Sequence, residues 1–347
     1  MDWYLQYAEA VVDALSDEVQ YWITFNEPQC SIMMGYVAGS AAPFKHEVLS
    51  FRKHHLRNFL LAHGKCVKMI REKAKTPAKI GIAMASTTYI PDSETPEGLA
   101  DAAQKSFESR VGEGSNGLYM DPIGLGKASP MMKRYLSAED LKIISEPMDF
   151  VGVNVYQPSN GMLNKKAYEA EDRPKTSLGW VVDGRCLYWT VRQYWERYHL
   201  PIMVTENGMA AGDTVSEDGA CHDPERIAFL EEFLSNLKRA ADEGIPVLGY
   251  QHWSIMDNFE GAKAIRPASV SSTSTTKRRS APSRTARCTT PRSSAATERR
   301  YEERSAESFP SAPRLSPGRR AACVRRPGLS LRQPRQGKRQ DLLHAGL

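Results

Sequence analysis

Apolar residues recur along this 347-residue chain in two alternating rhythms. Trp3, Leu5, Ala8, Val11, Val12 and Leu15 fall at helical spacing, and Tyr21–Phe25 is the aromatic, β-branched run of a strand. The spacing predicts a second helix over Val48–Lys73, with Leu49, Leu56, Phe59, Leu60, Val67 and Ile70 on one side. Lys79–Met84 reads as the next strand, and residues 91–139 mix helix with Gly- and Pro-rich loop. A third strand is expected over Asp149–Tyr156, a helix over Val181–Tyr198 and a fourth strand over Pro201–Thr205. A helix over Asp223–Glu243 and a fifth strand over Pro246–Tyr250 follow. Short, nearly continuous apolar strands separated by helices mark an α/β fold, a parallel sheet covered on both faces. The pattern alone leaves a doubly wound sheet and a β/α barrel both open.

The pattern stops near residue 260. All six tryptophans (3, 22, 180, 189, 195 and 253) lie before it. Residues 261–347 hold 20 Lys and Arg against 5 Asp and Glu, whereas residues 1–260 hold 26 against 36. The later stretch contains 17 Arg, 13 Ser and 8 Pro but one Phe and one Tyr. It has too little apolar surface to offset an ordering entropy of roughly 1–2 kcal/mol per residue. The expected organisation is therefore an acidic globular part, 1–260, and an Arg/Ser/Pro-rich disordered tail, 261–347. No apolar run is long enough for a membrane span, and the chain does not open on a basic segment followed by an apolar one. Cysteines at 30, 66, 186, 221, 288 and 323 form no Cys-x-x-Cys pair. A cytoplasmic protein with free thiols, no metal and no membrane partner is expected. No Gly-x-Gly-x-x-Gly or Gly-x-x-x-x-Gly-Lys follows a strand, so no nucleotide cofactor is expected.

Polar residues at the strand ends carry the candidate chemistry. Asn26-Glu27-Pro28 closes the first strand and Glu206-Asn207-Gly208 the fourth, each setting a carboxylate beside an amide. In a parallel barrel, sites form at that face. Two carboxylates across such a mouth suit glycosidic bond cleavage. The plainer alternative is that Glu27 and Glu206 cap helices.

Tyr21–Pro28 and Ile202–Met209 resemble the two signature segments of family 1 glycoside hydrolases, the β-glucosidase family. Asp149–Tyr156 is similar to that family's sixth barrel strand, and His252–Glu260 to the segment after its eighth. The resemblance runs in order through 1–260. It implies a partial (β/α)8 TIM barrel, about the last five units, and a β-glycosidase, foremost a β-glucosidase, that retains anomeric configuration. Glu27 would be the acid/base and Glu206 the nucleophile. Asn26 would hold the sugar 2-hydroxyl, Tyr156 would donate to Glu206, and Trp253 would lie under the ring. Glu260 would take the 4- and 6-hydroxyls, Trp180 would line the aglycone side, and Asn154 would join the substrate-binding set. The partner implied is a small β-glucoside. His54, His55 and His252 are expected in packing or solvated positions.

The chain also departs from the family. The family's first three βα units, with a glutamine and a histidine that grip the sugar, have no counterpart ahead of Met1–Glu18, so an N-terminal truncation is expected. After Glu260 the family continues with tryptophan, where this chain has Gly261. The family-like peptide Leu-Val-Tyr-Val-Asp-Tyr-Glu-Thr, in GC-rich codons read one base forward, translates as Ser-Ser-Thr-Ser-Thr-Thr-Lys, which is Ser271–Lys277. The tail thus reads as frame-shifted rather than as a nucleic-acid-binding arm held by phosphate contacts. A barrel remnant without turnover is the other alternative.

Overall fold

The computed structural model describes residues 1–254 apart from 49, 87, 109–114, 131 and 160–172. The tail expected over 261–347, and its boundary, lie outside the described residues.

The chain opens with α1 (Asp2–Leu15), followed by β1 (Tyr21–Asn26) and the short α2 (Pro28–Ile32). Two π-helical turns, Met33–Val37 and Phe51–Leu56, lead to α3 (Arg57–Lys73) and β2 (Lys79–Ala85). Next come α4 (Pro96–Glu108), α5 (Asn116–Leu125), α6 (Ala138–Ile144) and β3 (Phe150–Asn154). The described chain ends with α7 (Arg185–Tyr198), β4 (Ile202–Asn207), α8 (Pro224–Asp242) and β5 (Val247–His252).

Among the described residues the five strands form one sheet in the order β1-β2-β3-β4-β5, every neighbouring pair parallel. A doubly wound sheet reverses its order at a switch point. This one never does, and strict sequential order with helical crossovers is the arc of a barrel. The fold is a partial (β/α)8 barrel. All of β3 is buried, as are Ile80–Met84 of β2, whereas Tyr21 and Ile23 of β1 and Leu248 of β5 are exposed. The sheet is thus covered at its centre and open at both described margins.

The helices close over one face. α3 buries Phe59, Leu60, Val67 and Ile70, α7 buries Leu187, Val191 and Tyr194, and α8 buries Phe229 and Phe233. α1 docks on β1 through Tyr4, whose ring stacks on Phe25 at 4.4 Å and whose hydroxyl donates to the Thr24 carbonyl at 2.6 Å. Below it, fully buried His63 pairs its Nδ1 with Thr24 Oγ1 at 2.8 Å. Burial pushes this imidazole down to about 3, so it is neutral in the fold. Gly64, one residue on, lets α3 press against α6, because a Cβ there would lie 1.9 Å from the Ile143 carbonyl oxygen.

Several boundaries differ from those expected. The helix expected from Val48 becomes regular α-helix only at Arg57, after the π-helical turn. The helix expected from Val181 begins at Arg185. Asp183 Oδ1 accepts the Arg185 N–H at 3.2 Å, and the Asp183 carboxylate holds that residue's guanidinium at 2.9 and 2.8 Å, so the side chain organises a turn ahead of the helix. The fourth strand runs on through Asn207, which places Glu206 within the strand rather than past its end. No helix among the described residues is long and apolar enough to cross a membrane.

Candidate active site at the strand tips

Three strand tips build the site. β1 ends at Asn26, and Glu27 then adopts a left-handed backbone, φ 46°. Non-glycine residues seldom sit there unless their surroundings hold them. Here the Glu27 N–H still donates to Ala83 O of β2 at 2.9 Å, and Pro28 opens α2 directly afterwards. The turn therefore occurs between a strand that continues to pair and a helix that has already begun. Glu27 occupies the N-cap position, yet its side chain makes no capping bond. The carboxylate is directed elsewhere, which removes the helix-cap alternative for this residue.

β3 contributes Asn154 and, two residues on, Tyr156. β4 contributes Thr205 and Glu206. Asn154 lies opposite Glu206 in the ladder, after a register shift between Val153 and Asn154. Similar shifts fall between Ile23 and Asn26 in β1 and between Val204 and Asn207 in β4. Irregular pairing re-aims side chains that strict alternation would send to opposite faces.

The polar groups form one connected set. Tyr156 donates its hydroxyl to Glu206 Oε2 at 2.7 Å, and Asn26 Nδ2 donates to Glu206 Oε1 at 3.1 Å. Each oxygen of this carboxylate thus has a donor, which favours its ionised form. Asn154 Nδ2 donates to Glu27 Oε1 at 2.9 Å and to Asn26 Oδ1 at 3.1 Å. The Thr205 hydroxyl donates to Asn154 Oδ1 at 2.5 Å, which fixes the orientation of that buried amide. The two carboxylates are half-buried and joined through two amides, Glu27 to Asn154 to Asn26 to Glu206.

A second shelf lies behind Glu206. Asn207 donates to Val155 O at 2.6 Å, accepts from the Tyr250 hydroxyl at 2.8 Å, and accepts the Trp253 N–H on its carbonyl at 2.9 Å. This seats Trp253 at the tip of β5. Gly208 is required by that approach, since a Cβ would lie 2.0 Å from the Trp253 carbonyl oxygen. The half-buried Trp180 packs on Tyr156, ring centroids 5.4 Å apart. Asn26, Glu27, Asn154, Tyr156 and Glu206 therefore share one hydrogen-bonded set, Trp180 borders it, and Trp253 is tied to its flank. Glu260 lies outside the described residues.

Sequence reasoning missed three residues. Thr205 and Tyr250 orient amides, and Cys30 lies in the first turn of α2, near enough to Glu27 to feel its charge. Burial first, then the neighbouring Glu27 charge, pushes that thiol up to about 12. His54 is exposed, while His55 pairs with Glu47 at 2.6 Å. Burial lowers the proton affinity of His252. The expectation of no metal cluster, drawn from spacing, meets a qualification. Ligand atoms of Asp213, Cys221 and Asp223 lie within 4.8 Å of one another. Arg226 compensates them from the centre, its Nη1 at 2.6 Å from Asp213 and 2.7 Å from Asp223. The group is an internal ion pair.

Comparison with known proteins adds to this geometry. The family model described as glycosyl hydrolase family 1 matches residues 1–268. Beta-glucosidase A of Thermotoga maritima is 34% identical over 277 residues, 76% of this chain and 60% of the relative. A bifunctional beta-D-glucosidase/beta-D-fucosidase of Bifidobacterium breve is 32% identical over 289 residues, 74% of this chain and 60% of the relative. Among solved structures, the beta-glucosidase from Thermotoga maritima in complex with deoxynojirimycin superposes with a TM-score of 0.69 at 29% identity. That match covers 82% of this chain and 65% of the other. The chain thus spans about 60% of the length of the curated relatives it matches.

Proposed function

The chain belongs to glycosyl hydrolase family 1, and we propose that its site is that of a retaining β-glucosidase. The observation that carries this reading is the bridged carboxylate pair, with two donors on Glu206 and a single amide donor, from Asn154, on Glu27. Glu206, held ionised by Tyr156 and Asn26, attacks the anomeric carbon. Glu27 gives its proton to the glycosidic oxygen as that bond breaks. The product is a glycosyl ester on Glu206 and a free aglycone alcohol. Glu27, now a carboxylate, takes a proton from water as the water oxygen displaces Glu206 from the face the aglycone left. Two inversions leave the sugar with its original configuration.

Asn26 reaches both the nucleophile and the space beside it, which suits a hydrogen bond to the 2-hydroxyl. Trp253 supplies an apolar floor, Trp180 borders the aglycone side through Tyr156, and Glu260 is assigned to the 4- and 6-hydroxyls. The substrate class is a β-glucoside with a small aglycone. The four described cysteines, 30, 66, 186 and 221, are free, which supports a reducing, cytoplasmic setting.

The test uses an aryl β-glucoside and the 347-residue chain. Glu206→Ala is expected to abolish turnover, and azide to restore it in part while releasing the inverted glycosyl azide, because the anion replaces the missing nucleophile from the same face. Glu27→Ala is expected to spare substrates with good leaving groups, which need little protonation. Equal losses on every substrate for both variants would contradict the assignment.

A further inference from the structure

The two carboxylates share one amide, and that amide hangs on a hydroxyl. Asn154 is 2% exposed, and its Nδ2 divides two protons between Glu27 Oε1 at 2.9 Å and Asn26 Oδ1 at 3.1 Å. Asn26 in turn donates to Glu206 Oε1 at 3.1 Å. With both protons committed, Asn154 Oδ1 is left to accept, and the Thr205 hydroxyl donates to it at 2.5 Å. Two features of the sheet bring that hydroxyl there. Val204 lies opposite Val153 and Glu206 opposite Asn154, so Thr205 is an extra residue in β4. Adjacent residues of β4 thus both hydrogen-bond at the tip of β3, Thr205 to Asn154 and Glu206 to Tyr156, instead of facing opposite ways. The second feature is Gly152, where a Cβ would lie 2.9 Å from Thr205 Cγ2. The bare glycine makes room for the methyl, and a β-branched side chain seated there keeps its hydroxyl turned to Asn154.

We propose that Thr205 is a positioning residue for both carboxylates at once, its hydroxyl anchoring the Asn154 amide that aligns Glu27 directly and Glu206 through Asn26. The inference rests on the glycosidase reading for its catalytic meaning, though the hydrogen bonds themselves do not. Without the hydroxyl, Asn154 Oδ1 becomes a buried acceptor with its donor gone, which is costly. The amide then regains its freedom to turn about its last side-chain bond. Any turn that finds Oδ1 a new donor takes the N–H groups away from Glu27 and Asn26 together. The hydroxyl is also neutral, so it anchors the amide without placing a charge between two carboxylates whose ionisation must differ. One oxygen atom on β4 thereby serves the general acid and the nucleophile in common.

Two measurements on the full chain decide the matter. The first follows hydrogen exchange at the Asn154 side-chain amide by NMR of the isotopically labelled protein, its signals identified by their loss in Asn154→Asp. Thr205→Ala and Thr205→Ser both lack the methyl and differ in one hydroxyl. Thr205→Ala is expected to exchange about tenfold faster than Thr205→Ser, the effect of roughly one buried hydrogen bond. The main-chain amides of Val151 and Ile202, each bonded across the sheet at 2.9 Å, report in the same spectra that the strands are intact. Thr205→Val keeps the branched shape without the hydroxyl and is expected to match Thr205→Ala, so the comparison survives a loss of packing in the latter. Equal exchange in Thr205→Ser, Thr205→Ala and Thr205→Val would overturn the proposal. In the second, aryl β-glucosides with poor and good leaving groups are compared. Thr205→Ala is expected to lower kcat on all of them, and on poor leaving groups about tenfold more, since these need the proton of Glu27. Thr205→Ser is expected to recover most of both losses. Losses of the same size in Thr205→Ser and Thr205→Ala would overturn the positioning role. A parent chain with no turnover on any glucoside would count against the glycosidase reading, and the exchange series would still decide the anchor.

Discussion

Tyr156 and His63 show how one side chain can govern either reaction or stability. The Tyr156 hydroxyl is a direct donor to Glu206, 2.7 Å from Oε2. Hydrogen bonds to charged groups contribute about 1.5–3 kcal/mol. Tyr156→Phe is therefore expected to lower kcat/KM by roughly 10- to 100-fold, measured on an aryl β-glucoside, with no comparable loss in the urea midpoint. His63 acts on folding alone. Its folded value lies near 3 against an ordinary 6.5. The unfolded chain takes up a proton as pH falls below about 6.5 and the folded chain does not, so stability is lost between 6.5 and 3 and levels off below. The size is on the order of 5 kcal/mol. Urea midpoints at pH 7, 5 and 4 should fall steeply in the parent and less steeply in His63→Gln. Equal slopes would mean that other groups carry the acid sensitivity.

Elements were legible from the sequence where their packing is repetitive, and less so where one contact sets a boundary. All five strands follow from apolar runs, and in Phe150–Val153 of β3 the run reflects burial on both faces of the strand. The start of α7 was misplaced because Asp183 folds back on the Arg185 N–H, a local polar contact that periodicity does not register. The chemistry divides in the same way. Glu27 and Glu206 stood out beside amides at strand ends. Thr205 and Tyr250 are ordinary strand residues until the fold brings them to Asn154 and Asn207. Element packing has its own test in two glycines. Gly64→Ala would force α3 away from the Ile143 carbonyl, whereas Gly212 has open space around its missing Cβ. We expect Gly64→Ala to cost about 1–3 kcal/mol or more in urea unfolding and Gly212→Ala to be nearly neutral. Similar values for both would show that α3 and α6 can separate without loss.

At the scale of the whole molecule, the described sheet is well covered at its centre and bare at the β1 margin. Trp3 is 85% exposed, Tyr7 69%, Tyr21 47% and Ile23 40%. Trp3 and Tyr7 are one helical turn apart on α1, while Tyr21 and Ile23 share one face of β1. Apolar side chains beside a free strand edge favour association between chains. Light scattering is expected to show the protein self-associating at micromolar concentrations, and the pair Trp3→Lys and Tyr7→Lys to reduce this without moving the unfolding midpoint by more than about 0.5 kcal/mol. Undiminished association in the pair would place the contact elsewhere.

The register shifts near the ends of β1, β3 and β4 separate what can vary from what cannot. Below them, a one-residue deletion within Tyr21–Ile23 would exchange the inward and outward faces of the strand. At and above them, pairing is already irregular, so an extra or missing residue has somewhere to be absorbed. Directed evolution toward new aglycones would therefore gain from libraries that vary length as well as identity in the segments leaving these tips, while holding the strand bodies constant.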